Sequence, residues 1–170
     1  PAAKLRVLRG VLAAYYADVE KPVVLDKCRG WLAHLEMAEA VLGCRAKVLV
    51  PVRALSEVVG SMERLHRKTA AVKAPPGEPE NYFQMQTVGG RAQFWLAPNG
   101  VAGLAYSRVC DAVRRGFRDR MHFVDFDRLT EDPAGTLGGI YDFLGEPRFA
   151  HDYARVEQVT AEDDGVHGYV

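Results

Sequence analysis

Short, mainly apolar runs alternate along this chain with longer stripes of helical periodicity, and that alternation restricts the fold more than any other feature. Pro22-Val23-Val24-Leu25 is wholly apolar and ends in polar Asp26-Lys27; Lys47 to Val52 and Met121 to Phe126, apolar apart from Lys47, His122 and Asp125, are read as the second and third strands. Brief apolar runs without polar alternation suit strands covered on both faces, as in a parallel sheet flanked by crossover helices. Between them lie helical stripes: Leu5, Leu8, Leu12, Tyr15 and Tyr16; Leu32, Leu35, Ala38, Val41 and Leu42, closed by Gly43 as C-cap; and Leu55, Val58, Val59, Met62 and Leu65. A helical segment is expected near Tyr82 to Leu96, broken at Pro98-Asn99-Gly100, and another through Val101, Leu104, Val109 and Val113. Asp132-Pro133 is an N-cap followed by a first-turn proline, and Gly145 closes the helix that it opens. The expected fold class is α/β, a three-layer parallel sheet flanked by helices.

A chain of 170 residues suits one domain with one core, and residues 1–170 are read as such. Lys plus Arg, at 22, equals Asp plus Glu, so no excess of positive charge is available to track a nucleic-acid backbone. Any anion must be gripped locally. Apolar runs such as Val48-Leu49-Val50-Pro51-Val52 fall far short of the ~20 residues that cross a bilayer, so no membrane span is expected. Three cysteines, Cys28, Cys44 and Cys110, fit neither a disulfide framework nor a zinc site, and reduced thiols in the cytoplasm are the expectation.

In parallel α/β sheets ligands sit beyond the carboxyl ends of the strands, which singles out Asp26 to Arg29, Val52 to Ser61, and Asp125 to Arg128. Arg53 follows directly on an apolar run, and Ser61 stands eight residues later on the next helix. A guanidinium offers a planar fork of donors to a phosphate, and a serine hydroxyl near a helix N-terminus can complete the cradle. Lys27 and Arg29 place two more cations after a neighbouring run. Asp127 is the one candidate for an orienting carboxylate in Phe123 to Leu129, with capping or ion pairing as its plainer role.

Asp26-Lys-x-Arg-Gly-Trp31 after a valine-rich run, Val52-Arg53 with Ser61, and then Phe126-Asp-Arg-Leu129, Asp132-Pro133 and Phe143-Leu-Gly145, in this order, resemble the sulfotransferase family, its bacterial members most. The likeness spans roughly Val23 to Tyr153. It implies a P-loop-like sulfotransferase fold, 3′-phosphoadenosine 5′-phosphosulfate as donor, and a hydroxyl or amine of a small-molecule acceptor as recipient, with no metal required. The resemblance assigns the 3′-phosphate to Arg53 and Ser61 and the transferred sulfonate to Lys27. Cytosolic members carry a histidine base two positions after that lysine; Arg29 stands there, and a guanidinium, which stays protonated, cannot take a proton from the acceptor. His167, in Asp164-Gly-Val-His-Gly168, is the candidate replacement among His34, His66, His122, His151 and His167. The acceptor pocket is expected within Ala71 to Leu96, where loop composition encodes no particular substrate.

The family's opening strand and phosphosulfate loop have no counterpart here; Gly89-Gly90 lacks both the preceding apolar strand and the following Lys-Ser or Lys-Thr. The tail stops before the basic loop that usually completes the 3′-phosphate site. An upstream segment of roughly 40 to 60 residues carrying that strand is therefore expected, from a strand–loop–helix unit of ~30 residues or more, together with either a gap in the sheet or another strand filling it. The alternative reading is a sulfotransferase-like domain that binds a nucleotide or a protein without turnover. A P-loop kinase relative is disfavoured by the missing Walker lysine loop and acidic magnesium motif. Oligomeric state is left open by the sequence.

Overall fold

The computed structural model describes residues 2–69 and 82–157. Its elements are α1 (Ala2–Tyr15), a 3-10 turn (Trp31–His34), α2 (Leu35–Leu42), β1 (Val48–Val52), α3 (Leu55–Thr69), α4 (Tyr82–Met85), α5 (Val88–Leu96), α6 (Val101–Arg114), a second 3-10 turn (Arg118–Arg120), β2 (Met121–Asp125), α7 (Phe126–Glu131) and α8 (Pro133–Leu144). The chain is α/β, with β1 and β2 paired as a two-stranded parallel sheet. It divides into two compact units, Pro1–Leu49 with Arg108–His122 and Val50–Ser107 with Phe123–Val170. The loop read at Lys73 to Pro79, most of the acceptor region's first half, and His167 lie outside the described residues.

In the first unit α1 packs on α2, although no residue of α1 is buried. Arg9 accounts for the attachment: its Nε donates to the Val41 carbonyl at 2.7 Å and its Nη2 to that of Ala40 at 2.8 Å. These are carbonyls of the last helical turn, which have no partner within the helix and carry the negative end of its dipole. Gly43 ends α2 in the left-handed conformation, φ 74°, and donates its N–H to the Glu39 carbonyl, as the sequence led us to expect. Leu35, Ala38, Val41, Ala112 and Met121 are the buried apolar residues of this unit. Arg120 Nε bonds a Glu39 oxygen at 3.0 Å and holds that carboxyl below the usual carboxylate range, while the same oxygen accepts the Ala46 N–H.

Pro22-Val23-Val24-Leu25 departs from expectation. Strand was expected there; the segment is in no helix or strand, and Val23, Val24 and Leu25 are 41%, 45% and 74% exposed. Apolarity marks a run as fit for burial, but a strand exists only where a neighbour pairs its N–H and C=O groups. Among the described residues these three make no backbone hydrogen bond with another backbone group. With 61% of the described residues helical, the β1–β2 pair is the only sheet among them, and the expected third strand is absent from it. The two strands bond directly to each other, with no gap between them.

The second unit is organised by α3. Leu55 to Thr69 present an apolar stripe, yet the most buried residue within it is Glu63. Arg91 of α5 meets Glu63 with a planar fork, Nε to Oε2 at 2.7 Å and Nη2 to Oε1 at 2.6 Å, and its Nη1 donates to the Met85 carbonyl at 2.7 Å. Arg67 adds a third donor to Glu63 at 2.7 Å. Both side chains are nearly out of solvent, 9% exposed for Arg91 and 12% for Glu63. The Arg91 hydrogen bonds outweigh the cost of burial and pull the Glu63 carboxyl down to about 2.

The single helical segment expected over Tyr82 to Leu96 is two helices, because the Thr87 hydroxyl caps α5 by accepting the Gly90 N–H at 3.0 Å. Gly89 and Gly90 therefore lie in the first turn of a helix. A Cβ on Gly90 would fall 2.0 Å from the Gln84 carbonyl oxygen, so close approach of α4 requires this glycine. At the other end of the unit, Asp132 caps α8 by accepting the Gly135 N–H at 2.9 Å, Pro133 occupies the first turn, and Gly145 closes it at φ 73°, all as expected.

Glu63 ties stability to acid. A depressed carboxylate stabilises the fold fully above its ordinary pKa near 4.5, and that contribution drains away as pH falls toward 2. Urea titrations from pH 6 to pH 2.5 should show this loss in the wild type. In Glu63→Gln the same acid limb should be shallower, on a baseline lowered by about 3 kcal/mol at neutral pH because Arg91 is left buried without its counterion. Equal acid limbs in the two proteins would rule out Glu63 as the titrating group.

Candidate functional site

The carboxyl ends of β1 and β2 deliver two residues that meet. Arg53 follows β1, Phe126 follows β2, and the Arg53 guanidinium carbon lies 4.3 Å from the centroid of the Phe126 ring. An aromatic face attracts a guanidinium by its quadrupole and holds the fork in one plane. Arg53 Nε donates to Glu57 Oε2 at 2.6 Å, an i,i+4 ion pair at the helix entrance. Nη1 and Nη2 of Arg53 make no hydrogen bond to any described residue, and the side chain is 32% exposed. Helix α3 begins two residues after Arg53, so its first amides and the positive end of its dipole lie beside the guanidinium.

Ser61 is on α3, exposed, one turn beyond Glu57. Steps of four, three and four residues put Glu57, Ser61, Arg64 and Lys68 on one stripe of the helix, and all four are exposed. Arg53 at the strand end, with the serine along the adjoining face, can hold a compact oxyanion through charge-assisted hydrogen bonds, while Arg64 and Lys68 carry the cationic stripe further along the helix. Arg64 and Lys68 escaped the sequence reading, although their spacing from Ser61 was a sufficient signal.

Asp125, not Asp127, is the structural carboxylate at the end of β2. Its Oδ1 accepts the N–H groups of Asp127 at 2.9 Å and Arg128 at 3.0 Å, and this cap turns the expected loop at Asp125 to Arg128 into α7. Asp127 contributes its carbonyl to the Thr130 hydroxyl at 2.7 Å, and its exposed carboxylate orients nothing among the described residues.

Lys27 and Arg29 belong to the first unit and are exposed on the segment leading from Leu25 into the turn before Trp31. That segment is held by Asp26, whose Oδ2 accepts the Tyr16 hydroxyl at 2.7 Å and whose Oδ1 accepts Trp31 Nε1 at 3.2 Å. The bond to Asp26 raises the Tyr16 pKa above the ordinary tyrosine value. Arg108 Nη1 donates to the Arg29 carbonyl at 3.1 Å, and the Gly30 N–H donates to Cys28 Sγ at 3.3 Å. Of the histidines, His34 is exposed, His66 and His122 are half-buried, and His151 shares a 2.9 Å hydrogen bond with the Tyr141 hydroxyl beside Phe149 and Tyr153.

No helix among the described residues is long and apolar enough to cross a membrane, and no group of three or more His, Cys, Asp or Glu among them could hold a metal ion. Comparison with protein-family models, with curated proteins and with solved structures returns no match.

The two aspartates are separable by experiment. Asp125→Ala should cost about 1 kcal/mol in urea denaturation, the ordinary loss for an N-cap, while Asp127→Ala should stay within about 0.5 kcal/mol of the wild type, as exposed substitutions do. The reverse order would move the cap to Asp127.

Proposed function

We propose that this chain is a sulfotransferase of the three-layer, P-loop-like kind, moving a sulfonyl group from 3′-phosphoadenosine 5′-phosphosulfate to a hydroxyl or amine of a small-molecule acceptor in the cytoplasm. The observation that carries the proposal is Arg53 at the end of β1, its guanidinium stacked on Phe126, two nitrogens of its fork without a described partner, and Ser61 along the adjoining helix face. A terminal phosphate matches that fork, and the ordered motifs from Asp26 to Gly145 supply the identity of the nucleotide.

In this reaction the acceptor oxygen or nitrogen loses its proton and bonds to sulfur as the bond from sulfur to the 5′-phosphate oxygen breaks. Adenosine 3′,5′-bisphosphate leaves. Negative charge is spread over the sulfonate and the departing phosphate, and Lys27 is proposed to meet it at the sulfonate, with Arg29 as a second cation. Arg29 is not the base, since a guanidinium keeps its proton and has no acceptor nitrogen to offer. His167 remains the proposed base.

A second reading, nucleotide binding without turnover, is favoured by one observation: the segment Val23 to Leu25 that leads to Lys27 and Arg29 is exposed and is not a sheet strand, so the two cations do not stand at the carboxyl end of a strand, where ligand groups gather in parallel sheets.

Calorimetry separates the assignments. Arg53→Ala should weaken adenosine 3′,5′-bisphosphate by about 1.5 to 3 kcal/mol and barely change adenosine 5′-monophosphate, because a charged hydrogen bond to the 3′-phosphate is lost; equal weakening of both would refute the 3′ assignment. Lys27→Ala should lower turnover of labelled sulfonate more than donor affinity, as for a group engaged mainly in the transition state. Unchanged turnover would make Lys27 a surface cation, and an active site without turnover in the wild type would favour the second reading.

A further inference from the structure

We propose that Glu57 is the selectivity residue of the Arg53 site: a built-in carboxylate that occupies the guanidinium when no ligand is bound, and that an incoming phosphate must displace. The inference deepens the anion-binding reading above and rests on it for the location of the site, though not for the identity of the nucleotide.

Three facts converge. The Glu57 carboxylate takes the Nε donor of Arg53 at 2.6 Å, the length of a strong charge-assisted bond. The helix stripe puts Glu57 between Arg53 and Ser61, one turn short of the serine, so the carboxylate stands where an oxyanion bridging the two would place an oxygen. Finally, Glu57 is 43% exposed and Arg53 32%, which leaves the carboxylate room to swing into water and makes the pair cheap to open, as exposed i,i+4 pairs are. Phe126 holds the guanidinium from its face, so opening the pair releases the Nε edge without releasing the arginine.

The consequence is selectivity by tethering. With Glu57 beside it, Arg53 presents almost no net charge, and a small free anion gains little by exchanging one carboxylate for another oxyanion. A phosphate carried on a larger ligand brings further contacts that offset the exchange. The site therefore stays clear of inorganic phosphate and still admits a nucleotide phosphate. The remaining charge of Glu57 near the bound anion lowers affinity for every oxyanion by a similar factor, and that factor leaves largely unbound the free anion that has nothing else to hold it.

The test uses inorganic phosphate as the probe, at constant ionic strength, with the Arg53 Nε–H resonance followed by NMR. In the wild type the resonance should move only at high phosphate. In Glu57→Gln, which keeps the side-chain shape and removes the charge, phosphate should bind about three- to fivefold more tightly, the upper part of the range expected for one exposed charge. Glu57→Gln in an Arg53→Ala background should change phosphate affinity by less than twofold. Equal phosphate affinity in wild type and Glu57→Gln, or a gain that persists without Arg53, would overturn the proposal. Adenosine 3′,5′-bisphosphate and adenosine 5′-monophosphate, titrated in parallel, report separately on the nucleotide assignment: indifference to the 3′-phosphate would sink that assignment while a phosphate gain in Glu57→Gln would still support the gate.

Discussion

The buried fork of Arg91 on Glu63 is the constraint on which the second unit depends. It joins the middle of α3 to the first turns of α5, and through Nη1 it also reaches the end of α4 at Met85. A charge pair so far removed from water repays its desolvation only when the geometry is good and every donor is used. Here both carboxylate oxygens are engaged and Arg67 supplies a further donor. The rotation of α3 about its axis is thereby fixed: with Glu63 turned inward, Glu57, Ser61, Arg64 and Lys68 must face outward.

That orientation is what turns Arg53 from a surface cation into a candidate site. A strand end aims the residue, an aromatic ring from the neighbouring strand end holds it, and the outward stripe of α3 begins beside it. The arrangement obeys the general rule for parallel sheets, in which binding groups gather beyond the carboxyl ends of the strands, although only two strands are paired among the described residues. Arg53, Glu57 and Ser61 are all accessible to solvent, so the site is open. It suits a charged terminal group such as a phosphate better than an apolar ring.

What was legible in the sequence was local. Gly43 and Gly145 as left-handed caps, Asp132-Pro133 as a helix opening and Arg53 after a strand each depend on a few adjacent residues, and each is found as read. What depended on partners far along the chain was not legible. Val23 to Leu25 have a strand's composition but no paired neighbour; Glu63 and Arg91 are 28 residues apart, and no periodicity connects them. The Asp125 cap was hidden for another reason: Phe126 is apolar, so the strand was read through Asp125, the residue that ends it. At the candidate site Arg53 and Ser61 were visible, while Glu57 was overlooked despite standing at i+4 from the arginine, a spacing at which opposite charges meet.

Amide hydrogen exchange measures the central claim, that the turn from β1 into α3 grips a 3′-phosphate, most directly. Adenosine 3′,5′-bisphosphate at saturation should slow exchange in the segment from Arg53 to Ser61, whose first helical amides have no partner within the helix, and adenosine 5′-monophosphate at the same concentration should leave that segment unchanged. Protection by both nucleotides alike, or protection elsewhere with the segment from Arg53 to Ser61 unaffected, would contradict the account.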